Sequence, residues 1–509
     1  MMNDTSKETS FVTNPESKRT GRRQRRRSII HEFCLNTSTH ALPGIARSET
    51  FHNRVFWLIS FLIFTGIMIY FVVKSIMVFF DYPTTIDLTY DSDWQQYFAA
   101  FSFCNMAPFR LDLMIEPLSN YANSLDLTNT NDTQYVYQSS FIWDFIADKL
   151  NKNESLEDYF FPLSSMVHFC LYNLKSCSLD DFISFVSPIY GQCYTFNAKL
   201  KNSTDNSLRS GNFYGGAGIL TLGLYIHSYQ YLSLLTDAAG ILALVHDNRQ
   251  VPTIETSGVE LGPGRRHKIS YRRKKTTFLS SPYSDCTNEI SNSLNAILKN
   301  YDPADYNYSQ TICFQVCQQI FVYDECGCIN PYAWNIRSIV RPGTDKINLV
   351  PVCNISDSCY ETALDKLFAL AEYFQNYCSD CSQECLINNF VVQTSSSVSS
   401  FDSIIYSIKN FVENSTVLLP DDWSISWRQY IDENYLMVNV IRETHVVEIN
   451  TQISSVSLVD VLSNIGGHAG LWIGISFLSI IELIEMILRL FRYQWYLIRE
   501  TMQRRINVI

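Results

Sequence analysis

Histidine is scarce in this chain, nine among 509 residues, and none stands at ligand spacing beside its closely set cysteines. The spacings Cys313-x3-Cys317, Cys326-x-Cys328 and Cys378-x2-Cys381-x3-Cys385 therefore read as disulfide partners before zinc ligands, and no metal is expected. Catalytic signatures are also missing. The chain has no Gly-rich phosphate loop, no HExxH and no nucleophile elbow, so an enzyme is not expected; His246 and His267 read as surface or hydrogen-bonded side chains. There is no internal repeat, and basic residues are the minority sign, 39 against 50 acidic. Two long stretches have no charge at all: Val55 to Val73 and Val461 to Ile481, 19 and 21 residues.

At the helical rise each uncharged run is about 30 Å long, enough to cross a bilayer. Cysteine is nearly absent outside the interval they bound: 14 of 15 lie from Cys104 to Cys385, and only Cys34 lies elsewhere. Two crossings put both termini on one side and the cysteine-rich middle on the other. Residues 1–54 hold ten basic and five acidic side chains, and residues 489–509 hold five and one. The ends therefore balance at +9, leaving −20 for residues 55–488 within the chain's −11. By the positive-inside rule the termini are cytoplasmic and the acidic middle is extracellular. The run Arg22 to Arg27 then marks the cytoplasmic side of a span, not a nuclear signal, and no nucleic-acid partner is expected. The first apolar run starts too late and is too long for a cleaved signal peptide.

An even 14 cysteines in an oxidising compartment suggest up to seven disulfides, whose connectivity spacing leaves open. Acceptor sequons at Asn131, Asn153, Asn202, Asn307, Asn354 and Asn414 suit an extracellular middle, whereas Asn3 and Asn36 should stay bare. The expected organisation is a cytoplasmic amino end with a pre-membrane segment (1–54), a first membrane helix (55–80), an α+β extracellular domain (81–455), a second membrane helix (456–490) and a cytoplasmic tail (491–509). Residues 1–30 are polar and read as disordered. Gly218 to His227 and Ala238 to His246 read as buried strands, Glu361 to Asn376 as a helix, and Tyr435 to Leu458 as a strand entering the second span. The basic stretch Arg265 to Lys275 reads as a solvated loop, open to trypsin-like cleavage.

An anchor helix favours Leu, Ile and Phe, yet the second span carries Gly466, Gly467, Gly470 and Gly474 with Ser463, Asn464, His468, Ser476 and Ser479. Each glycine costs about 1 kcal/mol of helix propensity against alanine. Gly466, Gly470 and Gly474, spaced by four, read either as a helix-packing seam or as the wall of a pore, with a bend near Gly474 turning carbonyls toward an ion. Glu482 and Glu485 follow at i, i+3 on one face, where a ring of copies would attract cations; a solvated edge is the plainer reading.

These residues resemble the degenerin/epithelial sodium channel superfamily, which includes acid-sensing and peptide-gated members. The resemblance rests on an ordered set: Cys193-Tyr194-Thr195-Phe196-Asn197 after Gly191, Gly262-Pro263-Gly264, Ser281-Pro282-Tyr283 before Cys286, the two cysteine clusters, and the run Leu462 to Ser476. It implies a trimer of identical chains around one pore, with a hand-like ectodomain of palm, finger, thumb, knuckle and β-ball. It implies a selectivity filter at Gly474-Ile475-Ser476, with Ile475 where the family often has alanine or serine. Gate positions fall at Ser463, Asn464, Gly467 and Gly470, and Asn464 replaces the aspartate of many members. The lower-pore segment is His40-Ala41, in place of His-Gly, and a gating wrist joins Tyr82 to Tyr283. It also implies the disulfides Cys104–Cys193, Cys170–Cys177, Cys286–Cys385, Cys313–Cys381, Cys317–Cys378, Cys326–Cys359 and Cys328–Cys353.

The function so implied is a ligand-gated, sodium-selective cation channel of the plasma membrane. Its expected opener is a short amidated FMRFamide-like peptide and its expected blocker amiloride; sodium is the permeant ion and no cofactor is needed. A histidine pair just outside the first span, expected of acid-sensing members, is replaced by Asp81-Tyr82-Pro83-Thr84-Thr85. Proton-gated and constitutively open channels of the same kind remain alternatives. From another class, so does a two-span receptor or ectoenzyme without a pore.

Overall fold

The computed structural model describes residues 26, 28–92, 97–125, 139–204, 207–210, 218–340 and 346–506. The chain separates into two compact units, one of residues 1–85 with 454–509, the other of residues 86–453.

The larger unit is built on two sheets. The first is organised around the 13-residue strand Arg265–Thr277. Along one edge it pairs antiparallel with Leu386–Val398 for its whole length. Along the other it pairs parallel, first with Tyr435–Arg442 and then with Val446–Ser454. Ile219–Tyr225 and Val167–Tyr172 continue the sheet beyond Tyr435–Arg442. The second sheet runs Phe182–Ser187, Gly191–Phe196, Ala100–Asn105, Ile241–His246, Val259–Leu261, antiparallel throughout. Phe98, Phe101, Phe103, Leu222, Leu224, Val438 and Val440 fill the core shared by the sheets.

The basic stretch is thus not a loop. His267, Ile269 and Tyr271 point inward and are buried, while Arg265, Lys268 and Arg272 are exposed. A period of two turns the charges outward along a strand whose other face is core. Its backbone is held along one edge for its whole length and along the other at 266–271 and 274–277, which argues against the cleavage site read from composition. The stretch Tyr435 to Leu458 is also not one strand; it is two, broken at 443–445, before a helix that starts at Leu458. Glu361 to Asn376 is likewise two helices, Cys359–Ala369 and Ala371–Cys378, with Leu370 extended between them.

Those two helices and Gln310–Cys326 form a layer stitched by cysteine. Cys313–Cys381 and Cys317–Cys378 bridge successive turns, Cys326–Cys359 and Cys328–Cys353 close its end, and Cys286–Cys385 joins two short strands. Gly327 caps Gln310–Cys326 with φ +74°, a left-handed backbone that lets the chain reverse between Cys326 and Cys328. In the sheets, Cys104 and Cys193 are direct cross-strand partners, Cα atoms 4.4 Å apart, and Cys170–Cys177 ties a hairpin. Cys34 is free.

The smaller unit contains the apolar helix Phe51–Phe80, started by Thr50, whose hydroxyl accepts the Asn53 N–H. At 30 residues it is about 45 Å long, more than a bilayer core requires. The second apolar run is not one continuous helix. It is two half-helices, Leu458–Ile473 and Phe477–Ile506, meeting at a bend of 72°. The first opens on a capping box: the Ser457 hydroxyl accepts the Asp460 N–H while the Asp460 carboxylate accepts the Ser457 N–H. Residues 28–36 form a further helix; the rest of the stretch read as disordered, residues 1–25 and 27, lies outside the described residues apart from Arg26.

Candidate pore and gate

The half-helix Leu458–Ile473 has two unlike faces. One is aromatic and packs on the first apolar helix: His468 stacks on Phe71 at 5.1 Å, and Trp472 stacks between Phe64 and Phe71, 6.0 Å from each. The other is small and polar. Ser463, Asn464, Gly467 and Gly470 are exposed, and a Cβ added at Gly466, Gly467 or Gly470 would meet no atom within 4 Å. Within one chain, the residues read as pore and gate therefore share a face that no described residue covers. A packing seam against the chain's own first helix is excluded, because the aromatic side serves that purpose.

Gly474 ends this half-helix with φ +70°, its N–H on the Gly470 carbonyl at 3.1 Å. Gly474-Ile475-Ser476 is the whole of the break, so Gly474 does not continue the row begun by Gly466 and Gly470. The Ser476 hydroxyl accepts the Ser479 N–H and restarts the chain as a helix. A Cβ on Gly474 would come within 2.8 Å of the His40 ring, and the His40 N–H donates to the Ile473 carbonyl at 3.2 Å. The segment around His40 and Ala41, where the short helix Ala41–Arg47 begins, is thereby held against the break.

Glu482 and Glu485 differ in their partners. The Glu482 carboxylate accepts the Ser38 N–H at 3.0 Å, and the Ser38 and Ser479 hydroxyls share a hydrogen bond of 2.5 Å. Glu485 pairs with Arg489 at 2.7 Å, and Arg489 also reaches Glu32 at 3.4 Å. Both carboxylates thus fasten amino-terminal residues or a helix turn, an arrangement not anticipated from their i, i+3 spacing. The missed partners, Ser38, Ser479 and Arg489, carry one readable signal: Glu485 and Arg489 stand at i, i+4.

In the larger unit, burial pulls every histidine with a displaced pKa downward. His227 and His246 fall to about 4. His227 is bonded to Tyr229 Oη and the Ser165 carbonyl, and His246 to Ser102 and the Asp247 carbonyl. His168, on Tyr435 Oη and Ser407, and His267, on the Gly262 carbonyl, are lowered too. The described residues contain no group of three or more His, Cys, Asp or Glu able to hold a metal.

A family described as amiloride-sensitive sodium channels matches residues 33–486, nearly the whole chain and both apolar segments. The chain belongs to this family. Among known members it is similar to the degenerin-like protein asic-2 of Caenorhabditis elegans, 22% identical over 90% of this chain and 86% of that one. It is also similar to acid-sensing ion channel 1 of Gallus gallus, 25% identical over 90% and 83%. The degenerin mec-4 of Caenorhabditis briggsae is 28% identical over 64% of this chain, which spans only 38% of mec-4. A solved proton-activated chloride channel overlaps 87% of the chain with 6% identity and a TM-score of 0.27, too low to bear on the fold.

For a member of the amiloride-sensitive sodium channel family, the remaining predicted positions fall as follows. Asn153, Asn202, Asn307, Asn354 and Asn414 are all exposed, as glycan acceptors must be, and so is Asn36; Asn131 and Asn3 lie outside the described residues. Tyr82 has a left-handed backbone, φ 47°, and its ring lies 6.4 Å from Phe79 and 6.5 Å from Phe80. Tyr283 closes a turn on the Ser280 carbonyl just after Pro282. The two tyrosines belong to different units.

Proposed function

We propose that three copies of this chain surround one pore in the plasma membrane, with both termini cytoplasmic and residues 81–455 outside, and conduct sodium. The observation that carries this reading is the uncovered Ser463, Asn464, Gly467, Gly470 face leading to a helix break at Gly474-Ile475-Ser476. Small residues let copies approach an axis, and a break offers backbone oxygens that helical bonds do not use. The gating stimulus we infer is a short amidated, FMRFamide-like peptide, with amiloride as blocker. The −20 balance of the middle segment supports a cationic ligand. Burial holds His227 and His246 down at about 4, which argues against these two as sensors of mild acid.

The test is whole-cell current after expression of the full chain, with extracellular sodium present and then replaced, on adding an amidated Arg-Phe peptide and then amiloride. Inward current that needs both sodium and peptide supports the reading. Current evoked by acid alone, or present at rest, selects the proton-gated or constitutive alternative, and no current under any condition favours a two-span receptor. A bulky residue at Ser463 should raise resting current by wedging the gate open.

A further inference from the structure

The amino-terminal run Arg22 to Arg27 is followed by Ser28 and Ile29, and membrane orientation uses none of its detail. Orientation needs positive charge near a span; it does not need two arginines set three and two residues before a serine, with an apolar residue after it. A protein kinase with an acidic substrate cleft needs that order. Guanidinium groups at those two positions make paired charge-assisted hydrogen bonds to carboxylates, and the apolar side chain seats the residue beyond the hydroxyl. Ser28 is exposed and opens the helix of residues 28–36. Beside it, Arg26 donates to Gln494 Oε1 at 2.6 Å, and one turn on, Glu32 pairs with Arg489 at 3.4 Å. Ile29 lines a cavity with Glu32, Phe33, Glu482, Met486 and Arg489. Ser28 therefore sits between the two contacts that fasten the amino-terminal helix to the half-helix Phe477–Ile506.

We propose that Ser28 is a phosphorylation site for an arginine-directed serine/threonine kinase, and that its phosphate loosens this docking. The inference rests on the cytoplasmic amino end proposed above. In the transfer, Ser28 Oγ attacks the γ-phosphorus of ATP, an O–P bond forms, and the bond from that phosphorus to the β–γ bridging oxygen breaks. ADP leaves with that oxygen, and the hydroxyl proton passes to a carboxylate of the kinase. The product carries close to two negative charges at neutral pH. It stands four residues before Glu32, a like-charge pair on one helix face, and it competes with the Gln494 amide oxygen for the neighbouring Arg26. Because Ser38 and Glu482 lie further along the same contact, loosened docking reaches the segment held at the break.

The full-length protein in isolated membranes is incubated with an arginine-directed kinase and ATP, and peptides from residues 26–54 are analysed by mass spectrometry. Phosphate is expected on Ser28, reduced roughly tenfold in Arg25→Ala/Arg26→Ala, whose lost groups made the paired hydrogen bonds. Peak current of Ser28→Glu should fall about twofold below that of Ser28→Ala at equal surface level, the factor expected of one like-charge pair at i, i+4. Absence of phosphate on Ser28, or equal labelling in the arginine variant, overturns the site. Equal currents overturn its consequence. A glycan found on Asn36 would place Ser28 outside the cell, overturning the site and the orientation together. Failure to label Ser28 with Asn36 bare would refute the site and leave the channel reading standing.

Discussion

The two units of this chain are stabilised by different means. Among the described residues, 86–453 hold seven disulfides, two large sheets that share a core and four buried clusters, so this unit is over-determined. Residues 1–85 and 454–509 have no disulfide among the described residues. They rely on ring stacks at Phe64, Phe71, His468 and Trp472, and on a few polar bonds at Ser38, His40 and Glu482. In water, apolar burial supplies a large non-directional drive, and cross-links further restrict the unfolded chain. Between helices in lipid, the setting proposed for the smaller unit, that drive is absent, and close packing with a few hydrogen bonds must select the geometry. Few contacts mean that single substitutions can shift the helix break while leaving the other unit folded.

That contrast can be tested from the largest effect downward. Removing Cys104–Cys193, whose partners are 89 residues apart, should cost the larger unit roughly 4–5 kcal/mol in the loop-entropy picture. Chemical denaturation and delivery to the cell surface would show it. Retained stability would mean that the sheets alone hold that unit.

Acid should act next, and on the same unit. His227 and His246 titrate near 4 when folded and near 6.5 when unfolded, because burial disfavours their charged form. The unfolded chain therefore binds more protons, and stability is full above pH 6.5 and is lost as pH falls toward 4. The loss is on the order of 3 kcal/mol for each histidine over that window. Denaturation midpoints measured from pH 7.5 to 4 should fall accordingly, and His246→Gln should flatten the slope. An unchanged slope would locate the acid response elsewhere.

In the smaller unit, Gly474→Val should have the largest consequence. It places a β-branched residue at φ +70° and its Cβ 2.8 Å from the His40 ring, a strain of roughly 1–3 kcal/mol. Unitary current and reversal potential should both change, with surface level intact. If permeation is untouched, the break is not part of the pore.

Glu482→Gln should do less than Glu482→Ala, since glutamine keeps an acceptor for the Ser38 N–H and loses only the charge assistance, roughly 1 kcal/mol. Equal effects of the two variants would point to the carboxylate's charge acting on the ion, and not to its hydrogen bond.

Some of this was legible in the sequence, for reasons specific to each element. Ile219–Tyr225 and Ile241–His246 are short apolar runs that leave a strand little alternative, and they are strands. The helix Phe51–Phe80 follows from an uncharged run too long for anything but a crossing or a core. The strand Arg265–Thr277 was misread because its charges outnumber its buried residues, although the alternation of His267, Ile269 and Tyr271 was present. The cysteine pairing was available only through the family resemblance, since spacing by itself leaves connectivity open. The partners of Glu482 were not legible, because Ser38 lies 444 residues away and no local pattern connects them.

Composition over short windows is enough to give two apolar stretches, the sign of charge at each end, the interval that holds the cysteines, and small residues in the second stretch. Tertiary structure alone decided which face of Leu458–Ile473 is covered and which is left open. It decided too that Gly474 turns the chain instead of extending a glycine row, and that His40 rests against that turn. A glycine can adopt either hand at almost equal cost, so its backbone is chosen by its neighbours in space; here those neighbours are the Gly470 carbonyl and the His40 ring.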